Sequence, residues 1–77
     1  MVDRVIVTII CKGSNFDMEL PANVEISQLI PVISEALMKK GVSITKNFRF
    51  ISNESYLNNL DTLFDAGIWD GSNLTVV

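Results

Sequence analysis

The sequence predicts a two-layer α+β domain in which one helix packs against one face of a mixed sheet of four to five strands. Three observations predict it. At 77 residues, 48% of them hydrophobic, the chain has room for one core. A chain this short buries only about 60% of its extended surface, so that core must be well patterned. Several short segments repeat their apolar residues at a period of two, and one longer segment repeats near 3.6. A single amphipathic helix among strands must lay its apolar stripe on one sheet face. Residues 1–77 are therefore read as one domain.

The elements follow in order. Val5 to Cys11 is a β-branched run too short for a stable helix, hence a strand. Lys12, Gly13, Ser14 and Asn15 form a turn, after which Phe16, Met18 and Leu20 alternate with Asp17 and Glu19. That alternation belongs to a half-buried strand, antiparallel to the first. Pro21 ends it. From Ile26 the period changes, and Ile26, Leu29, Ile30, Ile33 and Leu37 fall on one helical stripe closed by Lys39, Lys40 and Gly41. Pro31 falls at the fourth helical position, one residue late for a proline, if Ser27 is the N-cap, and predicts a kink if Asn23 or Glu25 caps. Phe48 to Ile51 reads as a third strand, Ser52 to Glu54 as a turn, and Tyr56 with Leu57 as a brief fourth strand. Leu60 to Ala66 suits one or two helical turns ended by Gly67. Asp70 and Gly71 make a tight turn, and Asn73 to Val77 is the last strand. A hairpin, a crossing helix and a closing strand in this order are the β-grasp arrangement.

Two passages carry a narrower likeness. Leu20-Pro21-Ala22-Asn23-Val24-Glu25-Ile26-Ser27-Gln28-Leu29-Ile30-Pro31 and Leu63-Phe64-Asp65-Ala66-Gly67-Ile68-Trp69-Asp70-Gly71-Ser72-Asn73-Leu74 resemble the YukD/EsaB family, small ubiquitin-like proteins of bacterial type VII secretion systems. The first also resembles the strand-to-helix passage in the related cytoplasmic domain of the EccD membrane component. The stretch from Val42 to Leu60 fits in outline. The resemblance implies a non-conjugated accessory or regulatory protein whose partner is the secretion machinery, with the cytoplasmic part of its FtsK/SpoIIIE-type ATPase as the expected component. Ubiquitin and sulfur carriers act through a flexible Gly-Gly tail, whereas this chain stops at Leu74-Thr75-Val76-Val77. Conjugation and sulfur carriage are expected to be absent. The alternative is a modifier or sulfur carrier attached through a processed or missing tail.

The residue inventory argues against catalysis. The chain has no His and one Cys, so Cys11 lacks the usual imidazole partner of an activated thiolate and reads as a core thiol. Asp61, Asp65 and Asp70 form no oxygen-rich cation loop, and Asp65 and Asp70 read as turn caps. The four glycines stand singly, one per turn, which excludes a P-loop or dinucleotide fingerprint. No catalytic, cofactor-binding or metal residue is expected. A net charge of -3 argues against nucleic acid. Lys39, Lys40, Lys46 and Arg49 precede an all-acidic remainder of Glu54, Asp61, Asp65 and Asp70, read as solvated surface or as a docking field. The lone thiol, the absence of a signal-peptide pattern and the absence of a membrane-length apolar run predict a cytoplasmic protein, membrane-associated only through partners.

Surface is what remains. If Val5, Val7, Ile9, Phe16, Met18, Leu20, Phe48, Phe50, Leu74 and Val76 face the helix, then Ile6, Thr8, Ile10, Arg49, Ile51, Thr75 and Val77 occupy the other sheet face. That face is apolar for one facing water and is the first docking candidate. The same patch is also suited to a homodimer. Phe64 and Trp69, with Tyr56 nearby, form a second candidate, because Leu63 and Ile68 should take the buried positions. Those aromatics either anchor a partner or shield the core edge.

Overall fold

The computed structural model describes residues 3–44 and 47–77, so Lys46 of the basic group lies outside the described residues. Five strands and a helix follow the chain as β1 (Arg4–Cys11), β2 (Ser14–Pro21), α1 (Ile26–Lys39), β3 (Phe50–Ser52), β4 (Ser55–Tyr56) and β5 (Asn73–Val76). The strands form one sheet in the order β2-β1-β5-β3-β4. β1 and β5 run parallel and the other neighbours antiparallel, giving the mixed sheet of a ubiquitin-like β-grasp.

Both hairpins turn on two residues. Lys12 and Gly13 have φ of 50° and 79°, and Asn53 and Glu54 have 52° and 66°. Two consecutive left-handed residues are what a tight hairpin needs to match strand twist. β2 consequently starts at Ser14, two residues before the alternation begins, and Ser52 belongs to β3, paired with Ser55. β3 begins at Phe50 rather than Phe48, although Arg49 and Val77 still exchange backbone hydrogen bonds of 3.2 and 3.0 Å. Phe48 faces the core without a ladder partner and packs edge-on to Phe50 at 5.2 Å.

The stripe of α1 is buried as the spacing requires, with Ser34 added to it. Glu25 occupies the N-cap position without a side-chain cap. The first-turn amides are satisfied by tertiary contacts instead, Ile26 N–H donating to the Asp61 carbonyl and Ser27 N–H to that of Asn59, both at 2.9 Å. Pro31 therefore sits inside the helix, on its exposed side, and α1 continues through it to Lys39. At the other end Val42 N–H reaches the Leu37 carbonyl and Gly41 N–H that of Met38, both at 3.0 Å, with Gly41 at φ 84°. This is a Schellman closure.

The Leu60–Ala66 segment is a hydrogen-bonded turn rather than a helix. Ala66 N–H bonds the Thr62 carbonyl, and Gly67 and Ile68 close the turn onto Phe64 and Leu63. Its start is drawn onto other elements, since Thr62 bridges Glu25 and Phe64 N–H donates to Ala22. Tertiary bonding takes the backbone groups that a longer helix would use. Leu63, at 0% exposure, and Ile68, at 3%, join the core made by α1 and the inner sheet face. Of the residues expected inward, Phe16, Met18 and Val76 are only partly buried. The first two lie on the edge strand, where Lys40 covers Phe16 at 5.8 Å.

Candidate docking surfaces

Strand register decides which outward residues meet. Ile10 pairs with Asn15 on β2 and Thr75 on β5, Thr75 pairs with Ile51 on β3, and Ile51 pairs with Tyr56 on β4. One row thus crosses all five strands as Asn15–Ile10–Thr75–Ile51–Tyr56. Its central three side chains are half-buried against one another, whereas Tyr56 is 60% exposed. Beside them lies a shallow hollow of about 440 Å³, with Ile10, Ile51 and Thr75 on its floor and Asn53, Glu54 and Asn73 at its rim.

The remaining members of the expected face behave differently. Arg49 Nη2 donates to the Leu57 carbonyl at 2.9 Å, and its guanidinium lies 4.9 Å from the Tyr56 ring centroid. It clamps β4 to β3 while presenting one edge to solvent. Val77 is exposed next to it through the Arg49 backbone pairing. Thr8 donates its hydroxyl to Asp17 at 2.8 Å, and Arg4 pairs with Glu19 at 2.8 Å. The β2 side of the face is therefore polar, and Thr8 separates the exposed Ile6 from Ile10. The seven expected residues resolve into an apolar row with Arg49 and Val77 at one end, and Ile6 and Thr8 leading away from it.

Tyr56 belongs to this row rather than beside Phe64 and Trp69. Its pairing with Ile51 fixes its direction, because the Asn53–Glu54 turn joins the Ser52–Ser55 pair directly. Sequence spacing does not reveal this, because a two-residue strand shows no period. Asn53, Glu54 and Asn73 are rim residues that alternation does not assign to this face; Asn53 and Glu54 lie in the positive-φ hairpin, legible in sequence only as a turn, and Asn73 opens β5.

Phe64 and Trp69 stand outward, 51% and 54% exposed, with ring centroids 5.9 Å apart in an edge-to-face arrangement. Leu63 and Ile68, which precede them in sequence, are buried in the core. The turn from Trp69 to Ser72 is closed by Ser72 N–H to the Trp69 carbonyl and by Trp69 N–H to Ser72 Oγ, both at 3.0 Å. Asp70 does not cap that turn. Its Oδ1 accepts the Ile6 N–H at 2.8 Å while Gly71 N–H donates to the Ile6 carbonyl at 2.9 Å, which occupies β1 just before β5 begins. Thr62 Oγ1, not Asp65, caps the preceding turn by accepting the Asp65 N–H.

Cys11 is buried and free. Among the described residues no group of three or more His, Cys, Asp or Glu is placed to hold a metal, and no helix is long and apolar enough to cross a membrane.

Comparison with known proteins places this geometry. No curated protein sequence matches the chain. The ubiquitin-like domain of the Mycobacterium tuberculosis type VII secretion protein ECCD1 is 28% identical with a TM-score of 0.74, over 99% of each chain. Ubiquitin of Caldiarchaeum subterraneum shares 19% identity and a TM-score of 0.73, over 95% of this chain and 90% of that one. Protomer 1 of the ESX-3 core complex shares 17% identity and a TM-score of 0.79, with 96% of this chain covering 16% of that one. A family described as "WXG100 protein secretion system (Wss), protein YukD" matches residues 4–76, from the first residue of β1 to the last of β5. The chain belongs to the YukD family, ubiquitin-like proteins of type VII secretion systems.

Proposed function

We propose that the protein is a non-conjugated, non-enzymatic single-domain accessory of its secretion system, and that it works by docking the Ile10–Thr75–Ile51–Tyr56 row onto a larger component. The carrying observation is that row, an apolar stripe across four strands beside an open hollow on the face the helix leaves uncovered. Solvent-facing apolar side chains gathered on one uncovered sheet face are a mark of interaction sites. The family supplies the type of partner, and the cytoplasmic part of the FtsK/SpoIIIE-type ATPase is the component proposed to receive it. A fold shared with a chain of the ESX-3 core complex supports an assembly role. Membrane association would then come through the partner, with the protein itself in the cytoplasm.

Ile51→Asp places a charge in the middle of the row. It is expected to abolish copurification with the secretion components and to stop secretion, while circular dichroism stays that of the wild type. Ile51→Thr keeps the β-branch and should give an intermediate loss, and Val32→Asp on the exposed side of α1 should change nothing. Wild-type secretion by a folded Ile51→Asp protein would overturn the reading. Intact mass measured from the native host checks conjugation, because a covalent ladder would show a modifier.

A further inference from the structure

The Phe64–Trp69 pair lies apart from the sheet row and has its own electrostatic setting. Asp65 and Asp70 directly follow the two rings in sequence and are exposed. Asp3 is brought alongside by a relay of backbone bonds, Ala22 N–H to the Asp3 carbonyl at 2.8 Å and Phe64 N–H to the Ala22 carbonyl at 3.1 Å. The ion pairs among the described residues, Arg4–Glu19 and Lys39–Glu35, include none of these three carboxylates. The nearest cation in sequence, Arg4, is already engaged by Glu19. Lys12 lies at the far end of β1, roughly 25 Å away at strand rise, and Lys39 and Lys40 lie at the far end of α1. The aromatic surface therefore sits in an acidic field that no ion pair among the described residues neutralises.

Two rings set edge-to-face, each following a buried residue, lose little side-chain freedom on binding, which favours them as anchors. Indole and phenyl faces attract cations, and carboxylates beside them reinforce that attraction. We propose that this surface binds a basic amphipathic protein segment, whose apolar side chains cover Phe64 and Trp69 while its Arg or Lys groups meet Asp3, Asp65 and Asp70. The binding is independent of the sheet-face docking proposed above.

Trp69 is the chain's single tryptophan, so its emission reports this surface directly. The full chain is titrated with a short helix-forming peptide carrying leucines on one face and arginines on the other, and with the same peptide in which glutamine replaces arginine. The arginine peptide should give a saturable change that weakens as salt is raised. The glutamine peptide, the Phe64→Ala variant and an Asp3→Asn/Asp65→Asn double variant should each bind about tenfold more weakly or worse. Ile51→Asp should bind normally. A flat titration, equal binding by the glutamine peptide, an unaffected acidic double variant, or loss in Ile51→Asp overturns the proposal. So does an emission shift on phosphatidylcholine vesicles alone, which would make the surface a lipid-binding one.

Discussion

Asp70 and Ser34 show how differently a polar side chain can stand in so small a fold. Asp70 lies on the surface yet holds the Ile6 amide at 2.8 Å. Truncating it to Ala removes the acceptor and should cost about 1 kcal/mol, whereas Asp70→Asn keeps an acceptor oxygen and should cost less. Ser34 is 0% exposed on the buried stripe of α1, and its Oγ has no hydrogen-bond partner. Removing that hydroxyl relieves an unsatisfied group and adds helix propensity, so Ser34→Ala should stabilise by about 0.5–2 kcal/mol. Urea denaturation midpoints check both. Destabilisation by Ser34→Ala would mean that its hydroxyl has a partner in solution.

At the scale of elements, α1 carries the clearest test. Pro31 stands at the sixth residue of a helix that the loop carbonyls of Asn59 and Asp61 anchor at its start. An interior proline deletes one intrahelical donor and crowds the preceding turn, so Pro31→Ala should raise stability by about 1–3 kcal/mol with unchanged fold. A drop in thermal midpoint would instead show that the ring packs usefully along the groove it lines with Phe48, Asn59 and Val77. The same helix shows what sequence can carry. Its buried stripe was legible because five apolar positions share one 3.6-residue period, and β1, β2 and the hairpin were legible from β-branching, alternation and Gly13. Ile26 as the start of its stripe was legible too, but the capping residue was not, because the first-turn amides are met by a tertiary loop. The Leu60–Ala66 turn reads as more helical than it is for the same reason. On the candidate face, the outward set followed from alternation. Which members touch depended on register, and register is set by a two-residue hairpin whose second residue, Glu54, has no turn signature of its own.

For the whole molecule, the sheet order makes protection unequal. β1 is flanked by β2 and β5, while β4 is a two-residue edge with both side chains exposed. Amides of Val7, Thr8 and Ile9 should exchange hydrogen only through global unfolding, and those of Ser55 and Tyr56 through local opening at far smaller free energy. Native-state hydrogen exchange reads this residue by residue, and uniform protection across β1 and β4 would contradict it. The parallel pairing of β1 with β5 has a further consequence for synthesis. Among the strands of this sheet β1 is made first and its central partner last, the two joined through Thr8–Asn73, Ile9–Leu74 and Ile10–Thr75. The long closure that pairing demands is available only once the final strand has emerged. A nascent chain stalled before Asn73 holds the early hairpin and the amphipathic helix without the strand that unites the sheet, so the row that needs Thr75 is assembled only once β5 has been made.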